Sequence, residues 1–545
     1  MLNKKILTIT LAVLMVVFMG FTAVNACTSI MVGKDASTDG SVMTTHTCDG
    51  NYDARIQIIE GEKFEDDAMT TVYSSRCHEG IPGYTVTELG EIPQAKETYT
   101  YFHVAYPFMN EHGVMIGEAT FSGRGELKNT DAILMIEELE RLALQRAKTA
   151  REAVQIMGEL AEEYGYADGG ESLTVIDGEE AWMFEIVGPG PIWSPGSEEP
   201  GAIWAAKRVP DGHVSVVSNR SRIDTLDLDD PDNAMASENV KSFAENMGWW
   251  DPSEEFMFCA TYNPNPYGAE YYQKRREWRV LSILAPSQDF DPQADRYPFS
   301  VKPDEKVSAQ DLMAIKRDHY EGTRFDLTEG LAAGPFGNPN RYPTPTSVKP
   351  EGKKDMDWER AISMFRCSYS FVGQARSSMP APIKSILWFG EDAPHSTVYV
   401  PVYSGTRELP EAFTSGRRDK FDRSSAWWAF DFVSNWADLK YSYMIEDIQA
   451  MQEKYESKFF AMQPAIDNAA LEIYDSHGAE RTKEFLTDYS YNNAQKVVDD
   501  WWEFADEMIY KYNDGYINSP DKIQSVGYPT EWLEEVGFGE GTVAE

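Results

Sequence analysis

Cysteine is scarce in this chain: there are five in 545 residues, at positions 27, 48, 77, 259 and 367. No two form a CxxC pair, which argues against a structural zinc site or thioredoxin-like redox chemistry. Positive charge is also in short supply. The 49 Lys and Arg stand against 89 Asp and Glu, for a net charge of −40. So acidic a chain argues against nucleic acid and anionic lipid as partners, because both are gripped through basic patches. Beyond the first 26 residues no apolar run is long enough to span a bilayer. The acidic stretch DTLDLDDPD (224–232) lacks the spaced ligands and closing Glu of a calcium loop, and reads as solvated loop. There is no internal repeat and no low-complexity tract.

What is present begins with a leader. Lys4 and Lys5 precede an apolar run from Ile6 to Val24, and the small residue Ala26 closes it. Residues 1–26 therefore read as a signal peptide cut before Cys27, with an uncleaved membrane anchor as the alternative. Removing those 26 residues leaves 519 and takes the charge to −42, since the leader holds two lysines and no acid. The mature protein is expected outside the cytoplasm, secreted, periplasmic or cell-surface, and free of the membrane.

Cys27 would then be the first residue, and three readings compete. It can be the nucleophile of an amide hydrolase, with its own α-amine (ordinary pKa about 8) as the base. It can be a lipid-modified cysteine, although Asn25 fits a lipobox poorly. It can be a buried strand residue or a disulfide partner. The other four cysteines allow two disulfides or none.

Along the chain, CTSIMVGK and SVMTTHT read as a hairpin around Asp39-Gly40. Residues 100–121 read as two more strands around the loop Met109-Asn110-Glu111-His112-Gly113. Helices are expected over 131–146, and from the capping residues Thr149 and Glu152 to Gly165. ESLTVIDGEEAWMFEIV and IWAAKRVPDGHVSVVSN read as two further hairpins. A helix over 308–320, strands within 369–404 and two or three long helices over 438–515 complete an α+β pattern.

The segment CTSIMVGKDASTDGSVMTTHTCD (27–49) resembles the start of the dipeptidase A family, cysteine peptidases of the N-terminal-nucleophile (Ntn) class related to choloylglycine hydrolases. MNEHGVMIGEATF, HVSVVSNRSRI, RREWRVLSILAPS, AIKRDHYEGTRFDLT, GPFGNPNR and SFVGQARSSMP resemble further blocks of that family in its order. The likeness covers about residues 27–440, leaving 441–545 as a helical C-terminal extension packed on the core. It implies an Ntn four-layer αββα sandwich of antiparallel sheets. It implies Cys27 as nucleophile and base, Asp49 at the amine and thiol, Asn219 in the oxyanion hole, and Arg276 raising thiolate character. Many relatives have Arg-Asn-x-Asp where this chain has His46-Thr-Cys-Asp49, so a weaker, pH-dependent cation is expected at His46. His46, Asn110, Glu118 and Thr120 are expected to line the substrate pocket. Asn219 also opens the chain's one glycosylation sequon, Asn219-Arg-Ser221. The implied activity is hydrolysis of dipeptides without metal or organic cofactor, by a chain that can form a homo-oligomer. Hydrolysis of another amide, such as an N-acyl amino acid or bile-salt-like conjugate, and a lipid-anchored non-catalytic protein are the alternatives.

Overall fold

The computed structural model describes residues 27–264, 271–342 and 359–538. The leader expected at 1–26 lies outside the described residues. Among these, no helix is long and apolar enough to cross a membrane.

The strand Ser29–Val32 pairs with Val42–Asp49, with Met31 opposite Thr44 and Val32 opposite Met43. The turn between them uses Gly40 at φ +79°, and the Asp39 carboxylate accepts from the Ser41 N–H at 3.0 Å. Such a turn needs a residue that tolerates positive φ, which glycine does. This hairpin is the heart of a six-stranded antiparallel sheet, in the order 214–217, 29–32, 42–49, 367–375, 385–391, 400–403. A second antiparallel sheet has eight strands, in the order 234–236, 203–209, 181–187, 170–176, 115–121, 109–110, 101–103, 57–59.

The two sheets face each other closely. The Thr44 and Thr174 hydroxyls are 2.6 Å apart, and Ser29 donates to the Glu118 carbonyl at 3.0 Å. A Cβ on Gly117 would lie 3.0 Å from the Thr45 carbonyl oxygen. Only glycine lets the sheets approach this far at the residue before Glu118. Strands Val42–Asp49, Gly170–Ile176 and Ala181–Val187 are buried at every position, as strands covered on both faces must be.

Helices Ile136–Arg146 and Ala150–Tyr164 pack on the larger sheet. Thr149 caps the second by accepting from the Glu152 N–H at 3.2 Å, and Gly165 ends it at φ +79°. The first starts later than the sequence suggests, because Leu134 is bridged to Tyr166. Helices Lys274–Leu284 and Ala309–Lys316 pack on the smaller sheet. Ser308 and Asp311 form the full capping box of the latter. Helices Ala426–Ala437, Tyr441–His477 and Ala479–Lys511 follow. Their buried residues join one apolar cluster that runs from Cys27 to Tyr512.

One hairpin expectation is overturned. Ile203–Val209 belongs to the larger sheet, but Val214–Val217 belongs to the smaller one, so Pro210-Asp211-Gly212 carries the chain between sheets. The cause is non-local. The Asp35 N–H donates to the Asp211 carbonyl and the Gly33 N–H to the His213 carbonyl, which steers 214–217 alongside 29–32. All five cysteines are free, so of the two expectations for cysteines 48, 77, 259 and 367 the structure has the unpaired one.

Candidate active site

The geometry converges on Cys27, buried at the mouth of the central hairpin. Its thiol donates to Glu118 Oε2 at 3.0 Å, across from the facing sheet. Glu118 Oε1 accepts from the Thr120 hydroxyl at 2.8 Å. Glu171, on the neighbouring strand, is a hydrogen-bond partner of Glu118. Burial raises the Glu118 carboxyl, and burial with the Glu118 charge pushes the Glu171 carboxyl well up, so of the two Glu171 takes a proton first. Burial first, and Glu118 next, also push the Cys27 thiol well above its ordinary range. The Cys27 side chain therefore rests as a neutral thiol, and a base would have to take its proton before it could act as a thiolate.

The backbone around Cys27 is clamped by cations. Arg276, fully buried on helix Lys274–Leu284, donates to the Cys27 carbonyl at 2.7 Å and the Thr28 hydroxyl at 2.9 Å. Burial lowers its pKa to about 10, which leaves it charged near neutrality. Lys316, at the end of its helix, donates to the Thr28 carbonyl. Burial draws its pKa down to about 7. Arg276 thus grips the carbonyl oxygen of Cys27, while the sulfur's hydrogen-bond partner is an acid, Glu118. Where the resemblance implies that Arg276 raises thiolate character, its hydrogen bonds hold the Cys27 backbone and orient Asn219.

Asn219 follows the strand Val214–Val217 and sits at φ +60°, a left-handed position that Asn tolerates better than most residues. Arg276 donates to its Oδ1 at 3.0 Å, and its Nδ2 donates to the Thr120 carbonyl at 2.8 Å. A guanidinium has no acceptor, so Arg276 fixes which end of the amide points toward the facing sheet. At 2 % exposure Asn219 is no place for a glycan.

Asp49 ends the second strand of the hairpin. Its Oδ2 accepts from Thr47 at 3.1 Å and from Arg360 at 2.6 Å. Thr47 in turn accepts from the Thr28 N–H at 2.9 Å, so a relay joins Asp49 to the residue after Cys27. Asp49 Oδ1 is buried without a hydrogen-bond partner.

His46 departs from expectation. Burial, with Lys316 nearby, lowers its pKa to about 3, so it is a neutral ring and not a pH-dependent cation. Arg360 supplies the cation at Asp49 instead. Asn110 is also corrected. Its amide donates to the Leu144 and Ala147 carbonyls, and its Oδ1 accepts from the His112 and Val114 N–H groups. Both polar atoms of the Asn110 side chain are engaged, Oδ1 with its own loop and Nδ2 with the end of helix Ile136–Arg146. Lys316, Arg360, Thr47 and Glu171 were not singled out by the sequence. The one available hint is Lys316, which falls on the buried stripe of its helix with Leu312 and Ile315.

Farther along this acidic seam lies Glu137. Burial, and Asp168 next, raise its pKa to about 8 from an ordinary 4.5. The folded protein therefore holds a proton that the unfolded chain releases between those values, and stability falls as pH rises through that window. Glu137→Gln is expected to match the parent's melting temperature near pH 4.5 and to exceed it above pH 8. The gain is on the order of 1.4 kcal/mol per unit of displacement. Thermal unfolding at the two pH values checks this, and equal melting temperatures above pH 8 would refute it.

Residues 26–454 match Peptidase family C69. Among curated relatives, a "Probable dipeptidase" of Latilactobacillus sakei is 26% identical over 466 residues, covering 82% of this chain and 89% of the relative. A "Probable dipeptidase" of Salmonella dublin is 26% identical over 410 residues, covering 72% and 84%. "Dipeptidase A" of Lactobacillus helveticus is 24% identical over 493 residues, covering 87% and 95%.

Proposed function

Because the chain belongs to Peptidase family C69, we propose that it is a secreted cysteine dipeptidase of the Ntn class, armed when removal of residues 1–26 exposes Cys27. The observation that carries this reading is the meeting of Cys27 with Asn219, Arg276 and the Asp49 relay at the start of one buried hairpin. The two facing antiparallel sheets, with helices packed on each, support the four-layer αββα architecture.

In this reading the free α-amine of Cys27 is both base and acid. The buried Oδ1 of Asp49, which lacks a partner, is the acceptor suited to an ammonium formed there. The substrate's scissile carbonyl carbon meets Sγ, and the thiol proton passes to the amine as the C–S bond forms. Asn219 Nδ2 leaves the Thr120 carbonyl for the developing oxyanion. Collapse expels the leaving amine, which takes the proton from the ammonium. Water, deprotonated by the amine, then hydrolyses the thioester.

A substrate panel tests this. Free dipeptides are expected to be cleaved, with N-acyl amino acids and bile-salt-like conjugates inert. Turnover of the conjugates alone would make the protein a non-peptide amidohydrolase. No turnover of either, with lipid on Cys27, would make it an anchored surface protein.

A further inference from the structure

The replacement of an expected arginine by a neutral, buried His46 does more than remove a charge. One ligand atom each from Cys27, His46 and Glu118 lies within 4.8 Å of the others, and all three residues are buried. We propose that these three side chains form a binding site for a thiophilic divalent cation of the zinc class, and that occupancy silences Cys27.

The donor set suits such an ion. Zinc takes thiolate sulfur, imidazole nitrogen and carboxylate oxygen in tetrahedral array. Around it, Sγ and Oε2 would stand about 3.5 Å apart, from bonds of about 2.3 and 2.0 Å. Their present separation is 3.0 Å, so a small opening admits the ion. The imidazole is prepared for the task. Nδ1 lies 2.9 Å from the Glu118 carbonyl oxygen and 3.2 Å from the Glu118 backbone nitrogen, while Nε2 is buried with no hydrogen-bond partner. In the tautomer that carries its hydrogen on Nδ1 and donates it to the Glu118 carbonyl, Nε2 keeps a free lone pair, the usual support of a metal-bound histidine; that is the tautomer the ion would select. Glu118 is supported likewise, with Thr120 holding Oε1 while Oε2 faces the thiol.

Charge also balances. A thiolate and the Glu118 carboxylate offset a dication, and the thiol proton leaves to solvent on binding. The nearby cations Arg276 and Lys316 are bonded to the carbonyls of Cys27 and Thr28, not aimed at the three donors. An arginine at position 46 would offer no lone pair and would repel the ion. If the chain begins at Cys27, which rests on the proposed function, the α-amine adds a fourth donor in a five-membered chelate ring with Sγ. The metal would then hold the lone pairs of both nucleophile and base, and inhibition would compete with substrate.

Cobalt(II) titration of the purified full-length mature protein tests the site, because thiolate coordination gives a ligand-to-metal charge-transfer band. The parent is expected to show that band at one equivalent, Cys27→Ser to lack it, and His46→Gln to bind about 10–100-fold more weakly. Circular dichroism verifies that both variants are folded. Zinc is expected to abolish dipeptide turnover, and a chelator to restore it. Absence of the band, or unchanged affinity in His46→Gln, overturns the proposal. A band that His46→Gln weakens, in a protein that zinc does not inhibit, upholds the site but removes Cys27 from catalysis.

Discussion

Cys27→Ala is expected to lower dipeptide turnover by ~10⁴-fold or more, with the fold unchanged. The size follows from the site's composition. In the proposed mechanism the sulfur is the atom that bonds to the substrate, and no second thiol is placed to replace it. Cys48, the cysteine nearest in sequence, is buried, and burial pushes its thiol well up. Hydrogen bonds and the oxyanion donors remain in the variant, so residual activity reflects binding and electrostatics alone. Cys27→Ser separates chemistry from packing. The hydroxyl can still donate to Glu118, so loss of activity there cannot be assigned to an unpaired buried carboxylate. The comparison requires steady-state kinetics on both variants and circular dichroism to verify folding. A Cys27→Ala protein with parental turnover would remove the nucleophile from this account.

Asn219→Gly should lower kcat by about 10²–10³-fold with a small change in KM. Asn219 is held at φ +60°, where alanine would add backbone strain and blur the result. Glycine accepts that conformation and deletes only the amide. The amide is oriented by Arg276, which donates to Oδ1 at 3.0 Å and leaves Nδ2 on the Thr120 carbonyl at 2.8 Å. Exchanging a neutral carbonyl for an oxyanion as acceptor strengthens that donor only in the transition state, so the loss belongs in kcat. Asn219→Asp is the sharper control, since it keeps the size and turns a donor into an acceptor. Parental kcat in Asn219→Gly would place the oxyanion elsewhere.

Much of this architecture is legible from local chemistry. The hairpin 29–49 is marked by two β-prone runs around the Asp39-Gly40 turn, and the helix starts at Thr149 and Ser308 by their capping residues. The turn Pro210-Asp211-Gly212 shows the limit. Its residues reverse the chain equally well whether the flanking strands pair or part, and contacts with Gly33 and Asp35 decide the matter. The site divides in the same way. Cys27, His46 and Asp49 share one hairpin and one motif, so their proximity is written locally. Lys316 and Arg360 come from a distant helix and a loop, where a single cation gives no sign of what it will face. The cation expected at His46 is a neutral ring because protonation follows burial, which composition does not disclose. Half of the role of Asn110 is local, an Asn in a tight loop whose Oδ1 accepts from its own backbone, while its bonds to Leu144 and Ala147 are not.

The central claim is that the catalyst is a chain beginning with an unmodified Cys27. The most direct test is the intact mass and N-terminal sequence of the active protein purified from its native host. The account predicts active molecules of residues 27–545 with a free α-amine. Activity carried by a chain that retains residues 1–26, or by one with lipid on Cys27, would contradict it.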